Sequence, residues 1–104
     1  MTAVLKVKKL TSFKERSKGL IGAHSPTPVY FKTRWGIHTF FMKYPLDIVI
    51  ADNSFNVIKI KEHLKPNRIY IWNPKFFNVF ELPIGTIEKE KIAIGATITM
   101  SSEM

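Results

Sequence analysis

The chain has no cysteine among its 104 residues, which removes disulfide staples, thiolate nucleophiles and sulfur-ligated zinc together. Acidic residues are also scarce: 8 Asp and Glu stand against 16 Lys and Arg, a formal charge of +8. No stretch comes near the roughly 18 consecutive apolar residues of a membrane-spanning helix. In the opening MTAVLKVKKL, Lys6, Lys8 and Lys9 interrupt what would have to be the apolar core of a signal peptide. The expectation is a cytoplasmic protein with no membrane contact. Missing too are the G-x-S-x-G, H-E-x-x-H, P-loop and G-x-G-x-x-G patterns, and with them the common hydrolase, zincin and nucleotide-binding signatures. No cofactor is expected.

What is present suits one self-folding domain over residues 1–104. Hydrophobic residues make up 45% and charged residues 23%, an ordinary globular balance rather than that of a disordered chain. The positive charge is uneven. Residues 1 to 43 hold nine Lys and Arg against Glu15, whereas residues 44 to 104 hold seven of each sign, so all the excess lies in the first part. A one-sided basic field attracts anionic partners, nucleic acid among them. The basic residues are spread out, however, and match no reader motif.

Along the chain, Lys6 and Lys8 alternate with Leu5 and Val7, which reads as a strand with one wet side. Ser12 and Glu15 in SFKE form a capping box, and Phe13, Arg16 and Leu20 then fall along one side of a short helix over about residues 12 to 21, which Gly22 can close. After HSPTP the period changes to two. VYFKT, GIHTFFM, LDIVIAD, FNVIKIKE, RIYIW and FNVFEL are short runs of β-branched and aromatic residues divided by turn residues. The Asp52-Asn53-Ser54 connection predicts a tight hairpin and antiparallel neighbours on either side of it. Pro83-Ile84-Gly85-Thr86 reads as a turn, IEKEKIAIG as one helical turn or a loop, and ATITM as a last strand. Many short strands without intervening helices indicate a sandwich or small barrel. The expected class is all-β, mainly antiparallel, with one short N-terminal helix.

Three residues stand out. If GIHTFFM is a strand, His38, Phe40 and Met42 share one face. Imidazole and thioether together suit a soft metal, but without a third ligand at fixed spacing a packed histidine and a filler methionine explain them, and no metal is expected. Asp47 enters the apolar run LDIVIAD, where a carboxylate must be paired or hydrogen-bonded. It either anchors a turn, through backbone N–H groups or an arginine such as Arg16, or is one of two functional acids. Glu81 in FELPIGT is the natural second, and two close carboxylates can act as acid and base or hold a hard cation. In YFKTRW, aromatic and basic residues alternate as they do on base-stacking surfaces, or as in an edge strand whose Lys and Arg stems cover core aromatics.

The blocks KERSKGLIG, GIHTFFMKYPLDIVIADNSFNVIKI and FELPIGT resemble the three signature blocks of the uncharacterised family known as domain of unknown function 192, over about residues 14 to 100. The family pattern falls on Gly19, Leu20, Met42, Pro45, Leu46, Asp47, Glu81, Leu82, Pro83, Gly85 and Thr86, and His38-Thr39 matches a subset. Where many relatives have an arginine after the first block, this chain reads Ile21-Gly22-Ala23-His24. The resemblance implies a compact jelly-roll-like β-barrel or sandwich and carries over no catalytic residue. The functional expectation is non-enzymatic binding of a ligand or protein partner around His38, Asp47 and Glu81. Its alternatives are an enzyme with a paired-carboxylate or cation-assisted site, and nucleic-acid binding through the basic N-terminal half.

Overall fold

A computed structural model describes residues 1–10, 27–40 and 42–102. The helix expected over 12 to 21, with Arg16, Gly19, Leu20 and His24, lies outside the described residues. The elements are β1 (Thr2–Lys9), β2 (Val29–Lys32), β3 (Gly36–His38), β4 (Leu46–Ala51), β5 (Val57–Leu64), β6 (Ile69–Ile71), β7 (Asn78–Pro83), the one-turn helix α1 (Thr86–Lys89) and β8 (Thr97–Ser102). Six strands form a sheet in the order β5-β4-β7-β2-β1-β8, and β3 pairs with β6 in a second, two-stranded sheet.

The chain is mostly β, as its period-two runs require. Strands β4, β5, β7 and β2 pair antiparallel, as do β3 and β6, but β1 runs parallel to both its neighbours, β2 and β8. The large sheet curls into a half-barrel whose two edges touch. Asn56, just before β5, bridges Thr97 of β8, and the Thr97 hydroxyl donates to Asn56 Oδ1 at 2.9 Å. The hairpin at residues 52–54 forms as expected: Asp52 Oδ1 accepts the N–H groups of Ser54 and Asn56, both at 2.9 Å. These bonds, the Asn56 amide first, hold the Asp52 carboxyl below its usual range.

Alternation along the strands divides the core in two. Leu5, Val7, Tyr30, Val49, Phe80, Leu82, Ile87 and Ile98 pack inside the curl. Val29, Phe31, Ile48, Ile50 and Val79 pack on the outer face, where Ile37, Met42 and Trp72 cover them. Strand β1 keeps a wet side, with Ala3, Leu5 and Val7 buried between exposed neighbours. Strands β4 and β7 do not: every residue of LDIVIA is buried, as are five of the six in NVFELP. Strand β2 sits between β1 and β7, so YFKTRW is not an edge. Its Tyr30 and Phe31 are core, while Arg34 leans over the Phe77 ring at 4.8 Å and donates to the Pro74 carbonyl at 2.7 Å.

Candidate functional site

The full burial of β4 and β7 decides what the two acids can do. Asp47 and Glu81 are both 0% exposed. In the β4–β7 register Asp47 lies opposite Leu82 and Ile48 opposite Glu81. Paired residues share a face and consecutive residues alternate, so the Asp47 carboxylate enters the inner face and that of Glu81 the outer one. The paired-carboxylate site that the sequence left as an alternative is therefore not formed between Asp47 and Glu81, because the sheet itself separates them.

Asp47 has structural partners instead. Strand β5 steps from Lys61 to Leu64 while β4 steps only from Leu46 to Ile48, a bulge that turns His63 to φ 55°. The His63 N–H, displaced from the ladder, donates to Asp47 Oδ1 at 3.0 Å. Oδ2 accepts the N–H of Ile87 at 3.0 Å. Gly85 precedes α1 at φ 87° with no side chain to cap it, so an acid of β4, 40 residues earlier in the chain, serves an N–H that a serine or aspartate cap would otherwise take. Glu81 lies near Tyr44, whose hydroxyl is raised above its ordinary value by burial first and by the Glu81 charge second.

His38 occupies a different surface. It is exposed, its ring stacks on Phe40 with centroids 4.7 Å apart, and Nδ1 accepts the Phe40 N–H at 3.3 Å. Strand β3 ends there, so His38 and Met42 do not share a strand face as expected: Met42 is buried in the outer cluster. Thr39 causes the break. Fully buried, it donates its hydroxyl to the Lys65 carbonyl at 2.7 Å and accepts the Arg68 N–H at 2.9 Å. Its backbone N–H bonds the Arg68 carbonyl, and its own carbonyl accepts from Asn67 and Met42. One threonine thus closes the turn at residues 65–68. Among the described residues no three of His, Asp and Glu gather into a group that could hold a metal ion.

That turn forms one wall of an open cleft of about 360 Å³. Lys61, His63, Lys65 and Arg68 line it with Leu64, Ile69 and Tyr70, and among the described residues no acidic one does. The Tyr70 hydroxyl is pushed up to about 12 by burial, and Lys59 stands 4.9 Å above its ring. With its phenol kept protonated at neutral pH, Tyr70 adds no negative charge to the cleft. Three cations, a histidine, no carboxylate and a recess make a seat for an anion. Residue counting missed it because Lys61, Lys65 and Arg68 lie in the part of the sequence whose charges cancel. The signal available was the run from His63 to Phe80, which holds three cations and no acid.

Comparison with known proteins agrees with the resemblance in the sequence. The family model described as DUF192, Uncharacterized ACR, matches residues 1–100. A UPF0127 protein of Pyrococcus horikoshii is 34% identical over 71 residues, 68% of this chain and 61% of that protein's length. The crystal structure of a protein of unknown function from Novosphingobium aromaticivorans superposes with a TM-score of 0.70 at 17% identity, over 86% of this chain and 70% of that one. A structure from Sinorhizobium meliloti, named provisionally as a transcription regulator, gives a TM-score of 0.70 at 18% identity, over 86% and 76%. At such identities the structural likenesses show the fold alone.

Proposed function

The chain belongs to the uncharacterised DUF192 family, and from that premise we propose that it is a non-enzymatic binding domain that takes an anionic ligand in the cleft between β5 and β6. The observation that carries this reading is the lining, in which Lys61, His63, Lys65 and Arg68 converge without a counter-acid among the described residues. Arg68 Nη1 reaches the carbonyls of Pro66 and Asn67 only at 3.4 and 3.3 Å. Such weak contacts leave its charge for a bidentate guest such as a phosphate group.

Of the three residues marked in the sequence, His38 borders the cleft, since β3 sets it opposite Ile69. Asp47 acts from beneath by holding the backbone of His63, and Glu81 belongs to the interior. The jelly-roll-like classification and the cytoplasmic placement are parts of the same proposal. The edge-to-edge bridge at Asn56 supports the first, and a chain without cysteine is compatible with the reducing compartment that the second assumes.

Titration of the protein with inorganic pyrophosphate, followed by amide shifts in two-dimensional NMR, tests the reading. Shifts confined to residues 61–70 and lost in Arg68→Glu are the expected result. Binding that persists undiminished in both Arg68→Glu and Lys61→Glu would overturn it.

A further inference from the structure

We infer that the ligand is single-stranded nucleic acid, its phosphates held by the cleft and its bases stacked on the aromatic residues beside it. The inference rests on the anion-binding reading and adds to it a second, independent surface. In the β3–β6 pair Gly36 lies opposite Ile71 and His38 opposite Ile69, so these four share one face while Ile37 turns to the core. That face is solvent-exposed: Ile69 is 68% and Ile71 66% accessible. Ile69 also lines the cleft, which makes the two surfaces continuous.

The aromatic residues at its margin are displayed rather than buried. Trp35 is 69% exposed at φ 78°, a conformation unfavourable for a bulky side chain. Its backbone is held there by the Trp72 N–H, which donates to the Trp35 carbonyl at 3.0 Å. The Gly36 N–H donates to the Arg34 carbonyl at 2.9 Å and closes a tight turn centred on Trp35, which holds this large aromatic residue at the surface. Phe40, 38% exposed, and the His38 ring on it present a second π surface. Gly36 keeps the face flat: a Cβ there would stand 2.7 Å from the Tyr70 carbonyl and 3.0 Å from Ile71 Cγ2.

Charge identifies the guest. The segments that build this region, residues 27–46 and 59–80, carry Lys32, Arg34, Lys43, Lys59, Lys61, Lys65, Arg68 and Lys75 against Glu62 alone. A second copy of the same face would be repelled. A bilayer is flat and cannot fill a recess of about 360 Å³, whereas a flexible phosphate chain can enter it and set its bases on neighbouring rings. Stacking tolerates every base, so little sequence preference is expected.

The test is fluorescence anisotropy of the full chain with labelled oligothymidylate, oligouridylate and an abasic oligomer of equal charge, over a range of salt. The oligonucleotides should bind about tenfold or more tighter than the abasic chain, as base stacking requires. Three or four phosphate contacts give a slope of log K against log salt of about −2 to −3. Trp35 emission should be quenched while that of buried Trp72 is spared. Trp35→Ala should erase the preference over the abasic chain, and Trp35→Phe should keep it. Equal affinity for the abasic chain overturns nucleic-acid stacking and leaves the anion reading standing; no binding of any of the three at low salt overturns the inference, and only the further absence of pyrophosphate binding overturns the anion reading with it. Binding to phosphatidylserine vesicles without oligonucleotide binding overturns the inference in favour of a lipid surface.

Discussion

Asp47 and Arg68 are both charged residues near β5, yet one is sealed inside the curl of the large sheet and the other lines an open cleft. Asp47 is fully buried and answers two backbone N–H groups, one from the β5 bulge and one from α1. Arg68 and its neighbours Lys61 and Lys65 line a recess that holds no acid among the described residues. The first arrangement uses up its charge inside the fold, while the second leaves charge over. The contrast separates two roles that family-pattern residues alone blur: Asp47 and Glu81 lie in the central strands that make the scaffold, whereas the proposed binding chemistry rests on Lys61, Lys65 and Arg68, which lie outside that pattern.

If the contrast holds, the largest effect of any substitution in either group belongs to Asp47. Asp47→Ala leaves the His63 and Ile87 N–H groups without their acceptor, at a cost of about 3 to 5 kcal/mol. For a domain of this size that lowers Tm by roughly 15 °C or more. Urea unfolding followed by Trp72 emission measures it, and a loss below that of an ordinary surface substitution would break the comparison at its root. Next comes Thr39→Val, which removes a buried hydroxyl that both donates and accepts at the 65–68 turn. It should cost about 1 to 3 kcal/mol and also weaken pyrophosphate binding, because the turn carries Lys65 and Arg68. Thr39→Ser, which keeps the hydroxyl, should restore both.

How far the sequence foretells this arrangement follows from what each pattern encodes. Period-two runs name the strands, and Asp52 names its hairpin because an aspartate closing its own turn is a local event. Pairing partners are not local. The wet side of β1 says nothing of its parallel neighbours, and the bridge from Asn56 to Thr97 joins residues far apart in the chain. Asp47 is legible as an anchor, but its partners are not, since the bulge at His63 and the bare Gly85 cap reveal their need only after folding. The cleft is hidden by arithmetic: the acids that cancel Lys61, Lys65 and Arg68 in a count include Asp47 and Glu81, which the fold buries, and Asp52, which its own turn engages.

Asp52 lies between the two groups, a carboxylate hydrogen-bonded yet close to water. Because its folded pKa is lowered, it adds stability above its unfolded value, near 3.8, and loses that contribution as the pH falls through the folded one. Thermal melts of the parent and Asp52→Asn should therefore differ at pH 6 and converge toward pH 2. A difference that stays constant across that range would mean that the turn's amide geometry, rather than the charge, is what counts.

The smallest effect on stability is the most informative. Lys61→Glu and Arg68→Glu alter exposed ends of side chains and should leave unfolding free energy within about 0.5 kcal/mol of the parent. By removing a net positive cluster they relieve like-charge repulsion, so a slight gain is the expected sign. Anion binding should fall sharply in the same two proteins. Loss of binding with stability kept, set against loss of stability in Asp47→Ala, would place function and folding on different charges. If Lys61→Glu instead unfolded the domain, the cleft cations would be part of the frame and the division between the two regions would fail.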